Sequence, residues 1–173
     1  PRGPENALRG TRGGPLGANV HPGVEPPVWG RQPADEPSGV EEGQILPSWL
    51  SWSGYAPGEA SPRTLSIAEF FDCDGRLGGL DALVISTSQY GCGACSAEAE
   101  ELPGHQSSWA AEGLDIVFMT LMIEDPSGGT STIEGARVWR DTYGLSGSHV
   151  ASDPYYSMVP PTIGSFGTPM QTV

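Results

Sequence analysis

Lysine is absent from this sequence, so all eight basic residues are arginines, set against 21 acids for a net charge of −13. Phosphate contacts need dense Lys/Arg, which excludes nucleic-acid binding as the purpose of the chain. Long hydrophobic runs are missing too. The longest, Ile116 to Met119 resuming at Leu121, falls far short of the roughly 18 residues of a transmembrane helix. Hydrophobic residues (37%) and charged residues (17%) are both low for a compact domain. The chain opens at Pro1 with no apolar leader, so a signal peptide or anchor is expected to have been removed or to lie upstream.

Glycine (25) and proline (17) are abundant, about a quarter of the 173 residues, near the range of partly disordered chains. They are unevenly placed. Residues 1–40 hold 16 of them, with four arginines, four acids and no apolar period. Such a segment buries too little to offset its ordering entropy, and reads as a flexible tail or tether. Residues 41–173 read as one folded domain that carries the whole net charge, with 17 acids against Arg63, Arg76, Arg137 and Arg140.

Within that domain the pattern alternates. Ala82 to Thr87 is a short, mostly apolar and β-branched run, and Ile116 to Ile123 is a second. Between them a helix is predicted from Ala94 to Leu102, kinked or interrupted at Pro103-Gly104 and continuing around Trp109 to a stop at Gly113. Asp125 to Gly129 reads as an exit loop, followed by a helix over about 132–143 with Gly144 after it. This β-α-β-α order predicts an α/β fold with a buried parallel pair.

The most specific signal is Cys92-Gly93-Ala94-Cys95, at a strand-to-helix turn. A thiol reacts as the thiolate, and the partial positive charge of a helix N-terminus favours that anion. Two intervening residues let one thiol attack a disulfide and the other resolve the mixed disulfide. Cys92, nearer the helix start, is the expected attacker and Cys95 the resolver. Half of a zinc site has the same spacing, and Cys73, Cys92, Cys95 and His105 would complete one arithmetically. The β-turn-α setting favours redox chemistry with no metal and no cofactor.

At these residues the sequence resembles the thioredoxin superfamily, closest to extracytoplasmic thiol–disulfide oxidoreductases of the TlpA/redoxin type. Cys92 to Leu102 is similar to that family's CxxC-x-x-E-x-P-x-L stretch, with Glu98 and Leu102 matching and Glu100 in place of proline. Phe166-Gly167-Thr168-Pro169, followed by Met170 to Val173, resembles the family's cis-proline loop and the strand after it. The resemblance implies a thioredoxin-like three-layer α/β/α sandwich over residues 41–173. It also implies a substrate-binding rim of Tyr90, Gly91, Gly93, Ala94, Thr168 and Pro169 around the cysteines. The partners it implies are protein disulfide substrates and a thiol electron donor. The location it implies is extracytoplasmic: periplasmic, lipoprotein-anchored or secreted, with a membrane tether through an anchor upstream of Pro1. The family continues past this point with one more strand and a helix, so the domain reads as lacking both.

There are departures. Gly91 stands where the family usually has Trp, and Ala94 where it has proline. Ser86 takes the place of the buried Asp by which thioredoxin proper accepts the resolving thiol's proton, so that help is either absent or supplied elsewhere. Cys73 reads as a turn residue, His149 as a loop residue, and Glu98, Glu100 and Glu101 as a solvated helix face. Trp49 and Trp52 with Tyr55 read as cover for a core edge. The peroxiredoxin pattern fails, because Ile85 and Gln89 stand where it needs Pro and Thr. Two function classes remain: a thiol–disulfide oxidoreductase, or a non-catalytic thioredoxin-like domain with a fixed disulfide or bound metal. Acids around Cys92 disfavour a further negative charge, and no basic residue occurs between Arg76 and Arg137. The expected couple is therefore reducing, nearer roughly −270 mV than the roughly −120 mV of strongly oxidising CxxC proteins.

Overall fold

The computed structural model describes residues 38–71, 80–162 and 165–173. Most of the expected tail, and Cys73 with its neighbours, lie outside the described residues. The fold is mixed α/β around one six-stranded sheet. In chain order come β1 (Ser51–Tyr55), β2 (Arg63–Ser66) and a 3-10 turn (Ile67–Phe70), then β3 (Ala82–Ser88), α1 (Gly93–Ala111) and β4 (Ile116–Met122). After them come α2 (Ile133–Thr142), β5 (His149–Ser152) and β6 (Met170–Thr172). The strand order is β2-β1-β5-β4-β3-β6.

The two apolar runs pair as expected. β3 and β4 are parallel in the register Ala82↔Ile116 through Ser88↔Met122, and β5 extends the parallel set beside β4. Side chains alternate faces along a strand. Val84, Phe118, Met122 and Val150 therefore share one face, and Ile85, Met119, Leu121 and Ala151 the other. The chain steps from β3 to β4 to β5 in one direction, and the right-handed crossover preference then places both helices on one face. Cys95, Ala99 and Leu102 of α1 and Ala136 and Trp139 of α2 indeed share one core cluster. Among the described residues the opposite face is covered by Leu50, the 3-10 turn and the segment around Met158 rather than by an α-helix.

Three local expectations are corrected. Pro103 does not interrupt α1, which runs unbroken through Gly93–Ala111. Proline removes one hydrogen bond to the preceding turn. Here Leu102 is buried before it and Trp109 stacks on Phe118 after it (ring centroids 5.2 Å apart), so both halves stay pinned to the sheet. His149 is not in a loop. It opens the interior strand β5 and is buried edge-on against Phe70. Trp52 and Tyr55 are core residues of β1, but Trp49 is 75% exposed. β1 also passes unusually close to β5: a Cβ on Gly54 would lie 2.5 Å from the Ala151 Cβ, so only glycine fits there.

Candidate active site

The site is built at the C-terminal end of β3. Gly91 adopts φ +76°, a left-handed turn that glycine tolerates without penalty, and it turns the chain into α1. Cys92 is the N-cap of α1, with extended backbone angles, and its Sγ accepts a hydrogen bond from the Cys95 backbone N–H at 3.1 Å. Sulfur thus takes the place of the Ser or Asp oxygen that usually satisfies a free N–H at a helix start. Any negative charge developing on Cys92 sits against a backbone donor and the positive end of a 19-residue helix. Cys92 is half-buried and Cys95 fully buried one turn further in. The two are joined as a disulfide, with Cα atoms 5.3 Å apart.

The loop singled out near the end of the sequence reaches this point. The Thr168–Pro169 peptide is cis, and the Thr168 carbonyl oxygen lies 3.2 Å from the Cys92 Sγ. Immediately after it, β6 runs antiparallel to β3, pairing Thr87↔Met170 and Ser86↔Gln171. Gly91, Gly93 and Ala94 are exposed on either side of Cys92, whose Sγ meets the Thr168 carbonyl. Tyr90 is set differently. Its hydroxyl donates to the Gly135 carbonyl at 2.7 Å and its ring meets Trp139 edge-on at 5.1 Å, which ties the turn to α2. Burial first, then the neighbouring Tyr143, pushes the Tyr90 phenol up to about 12. No protein-family model matches the chain, and no curated protein matches it either.

One residue was misread from sequence. Glu100 and Glu101 face solvent as expected, but Glu98 is half-buried. Ser86 Oγ, on β3, donates to Glu98 Oε2 at 2.7 Å, and Gln171 Nε2, on β6, donates to Oε1. A carboxylate is therefore fixed between β3, β6 and α1, one helical turn beyond Cys95. Ser86 thus holds this carboxylate against the sheet. The sequence does contain the signal, because Glu98 lies three residues after Cys95, on the side of the helix that carries Cys95, Ala99 and Leu102 inward.

Among the described residues no three His, Cys, Asp or Glu side chains converge as a metal site. His105 stacks on Trp109 and points a nitrogen at Glu101, 3.6 Å away. Of the zinc set raised by the sequence, Cys73 lies outside the described residues, and Cys92 and Cys95 are joined to each other.

Proposed function

We propose that this chain is a thioredoxin-like thiol–disulfide oxidoreductase that acts on protein disulfides, working as a reductase outside the cytoplasm. The observation that supports it best is the placement of the Cys92 sulfur at the α1 N-cap, on the Cys95 N–H and 3.2 Å from the Thr168 carbonyl. In this reading the dithiol form is the reductant. The Cys92 thiolate attacks one sulfur of a substrate disulfide, forming a Cys92–substrate bond and releasing the other substrate sulfur as a thiolate that takes up a proton. Cys95 then loses its proton and attacks the Cys92 sulfur, which breaks the mixed disulfide and frees the second substrate thiol. Two electrons have moved to substrate, the Cys92–Cys95 disulfide remains, and a thiol donor, itself oxidised to a disulfide, reduces it back to the dithiol. Glu98 is the nearest fixed carboxylate along the helix to receive the Cys95 proton. The cis Thr168–Pro169 loop offers backbone to the bound substrate chain. The sandwich layout, the tail as a tether and the membrane anchor belong to the same proposal.

Cys95→Ser and Cys92→Ser test it. The first leaves the attacker without a resolver and accumulates a mixed disulfide with a reducible protein such as insulin. The second accumulates none. Equal trapping by both variants, or by neither, refutes the assigned roles. A wild-type disulfide that resists dithiothreitol in the folded state supports the fixed-disulfide alternative.

A further inference from the structure

A second concavity opens at the same end of the sheet as Cys92, and the disulfide chemistry does not use it. It is a cleft of about 970 Å³ between the start of α2, the β1–β2 pair and the segment after β5. Its floor is a row of hydroxyl side chains, because Thr64, Ser53 and Ser152 stand opposite one another across β2, β1 and β5. Ile133, the first residue of α2, forms one wall. Two rings stand free at the rim, Trp49 at 75% and Tyr155 at 87% exposure. Large aromatics left in water at the mouth of a cleft are characteristic of recognition surfaces.

The cleft offers no free positive charge among the described residues. Its one basic side chain, Arg63, is bound by two carboxylates, Glu59 at 3.2 Å and Glu69 at 2.9 Å, so the cluster as a whole is net acidic. The cleft also holds one acid, Asp153, which is 1% exposed, accepts from Ser157 through Oδ2 and has its pKa raised by burial. The solvent-facing lining is therefore hydroxyls, aromatic faces and an arginine already held by two carboxylates, in a chain of net charge −13. An acidic occupant would meet repulsion from the surroundings and find no free cation to bind. A polypeptide segment without acids suits the lining, with its backbone amides on the hydroxyls and a ring or proline against Trp49 and Tyr155.

The cleft is also within a short chain's reach of the cysteines. Tyr90, two residues before Cys92, bonds to the Gly135 carbonyl, and Thr132, whose side chain caps Gly135, lines the cleft. From β3 to β1 there are three strand spacings, about 14 Å, which an extended chain covers in about four residues. We propose that the cleft is an exosite for the polypeptide flank of the disulfide substrate. It would select a segment free of acids that bears aromatic or proline side chains about four residues from the reacting cysteine. This rests on the oxidoreductase reading and adds a substrate class to it.

The test uses the full chain and cysteine peptides joined to glutathione by a disulfide. Their flanks carry Tyr-Pro, Gly-Ser or Glu-Glu about four residues to either side of the cysteine. The wild-type chain should show kcat/KM about tenfold higher for the Tyr-Pro flank than for Gly-Ser, which is what about 1.4 kcal/mol of aromatic contact supplies. Glu-Glu should be the poorest. Trp49→Ala and Tyr155→Ala should each bring the Tyr-Pro to Gly-Ser ratio toward one. A ratio that is flat in the wild type, or unaltered in both variants, overturns the exosite while leaving the thiol chemistry standing. Fluorescence anisotropy of a labelled, cysteine-free Tyr-Pro peptide separates the two readings. Trp49-dependent binding by a chain that reduces none of the disulfides keeps the cleft as a peptide site and refutes the oxidoreductase. Absence of binding together with a flat ratio refutes the cleft alone.

Discussion

Acid should weaken this fold through one identifiable residue. His149 is 8% exposed, lies against Phe70 with ring centroids 5.2 Å apart, and has no hydrogen-bond partner for Nδ1 among the described residues. Burial is the largest influence and holds its pKa below the ordinary 6.5. A hydrogen bond to the Phe118 backbone and the charges of Glu69 and Glu59 pull the other way, and Arg63 adds to the lowering. The folded imidazole thus resists a proton that the unfolded chain accepts below pH 6.5. The stability from keeping His149 neutral is fully present above that pH and is lost as pH falls toward the depressed folded value. If the folded side never protonates, the loss between pH 7 and pH 5 is about 1.9 kcal/mol, with a limiting slope of about 1.4 kcal/mol per pH unit. Asp153 acts in the opposite sense. Burial raises its pKa, so its contribution is present at low pH and fades as pH rises through the folded value. The readout is therefore the difference between wild type and His149→Gln in urea unfolding at pH 7, 6 and 5, with the disulfide intact. Wild type should lose up to about 1.9 kcal/mol more than the variant over that range. Parallel curves for the two proteins would refute the reasoning.

Gly91→Ala should destabilise by about 1–2 kcal/mol, the left-handed penalty alone, because a Cβ at φ +76° meets no atom within 4 Å; chemical denaturation measures it, and the alkylation rate of reduced Cys92 should fall as the turn shifts. Stability should also fall from pH 10 toward pH 12, since an unfolded tyrosine ionises near 10 while the Tyr90 phenol is pushed up to about 12. Tyr90→Phe should flatten that alkaline limb, and an unchanged limb would show that Tyr90 opens before the rest of the chain. Ser86→Ala and Glu98→Gln should each destabilise, and a double-mutant cycle should give a coupling of about 1.5 kcal/mol, the size of a hydrogen bond to a charged group. Strict additivity would mean that the Ser86–Glu98 bond contributes nothing.

Much of the frame was legible because local chemistry and tertiary environment agree in it. β3 and β4 are buried along most of their length and read as largely apolar runs. α2 starts where Thr132 caps it and ends before Gly144 in the left-handed region. The β1–β2 pair was not read as strands. Ser51–Tyr55 is short, and its glycine argues against a strand until the close approach of Ala151 explains it. β5 was hidden for a related reason: His149 and Ser152 look like loop residues, yet they are buried because the strand is held between β1 and β4. Neither signal lies within the segment itself.

Glu98 shows where reading one element at a time stops working. On α1 alone it is one of three acids near the surface, and three acids on a helix ordinarily mean solvent. The deciding residues are far away in sequence. β3 ends in hydroxyls, Ser86, Thr87 and Ser88, all buried. The antiparallel pairing of β6 places Gln171 directly across from Ser86. Both oxygens of the carboxylate therefore find donors on the sheet, and desolvation that would expel an unpartnered acid is offset by two hydrogen bonds. The apolar stripe of α1 fixes which way Glu98 faces, the hydroxyl end of β3 makes that direction tolerable, and the loop through Thr168 and Pro169 brings Gln171 to complete the set. The same loop sets its carbonyl against Cys92. The geometry of the sulfur and of the carboxylate thus depends on one connection, and a change that displaces β6 should disturb both together.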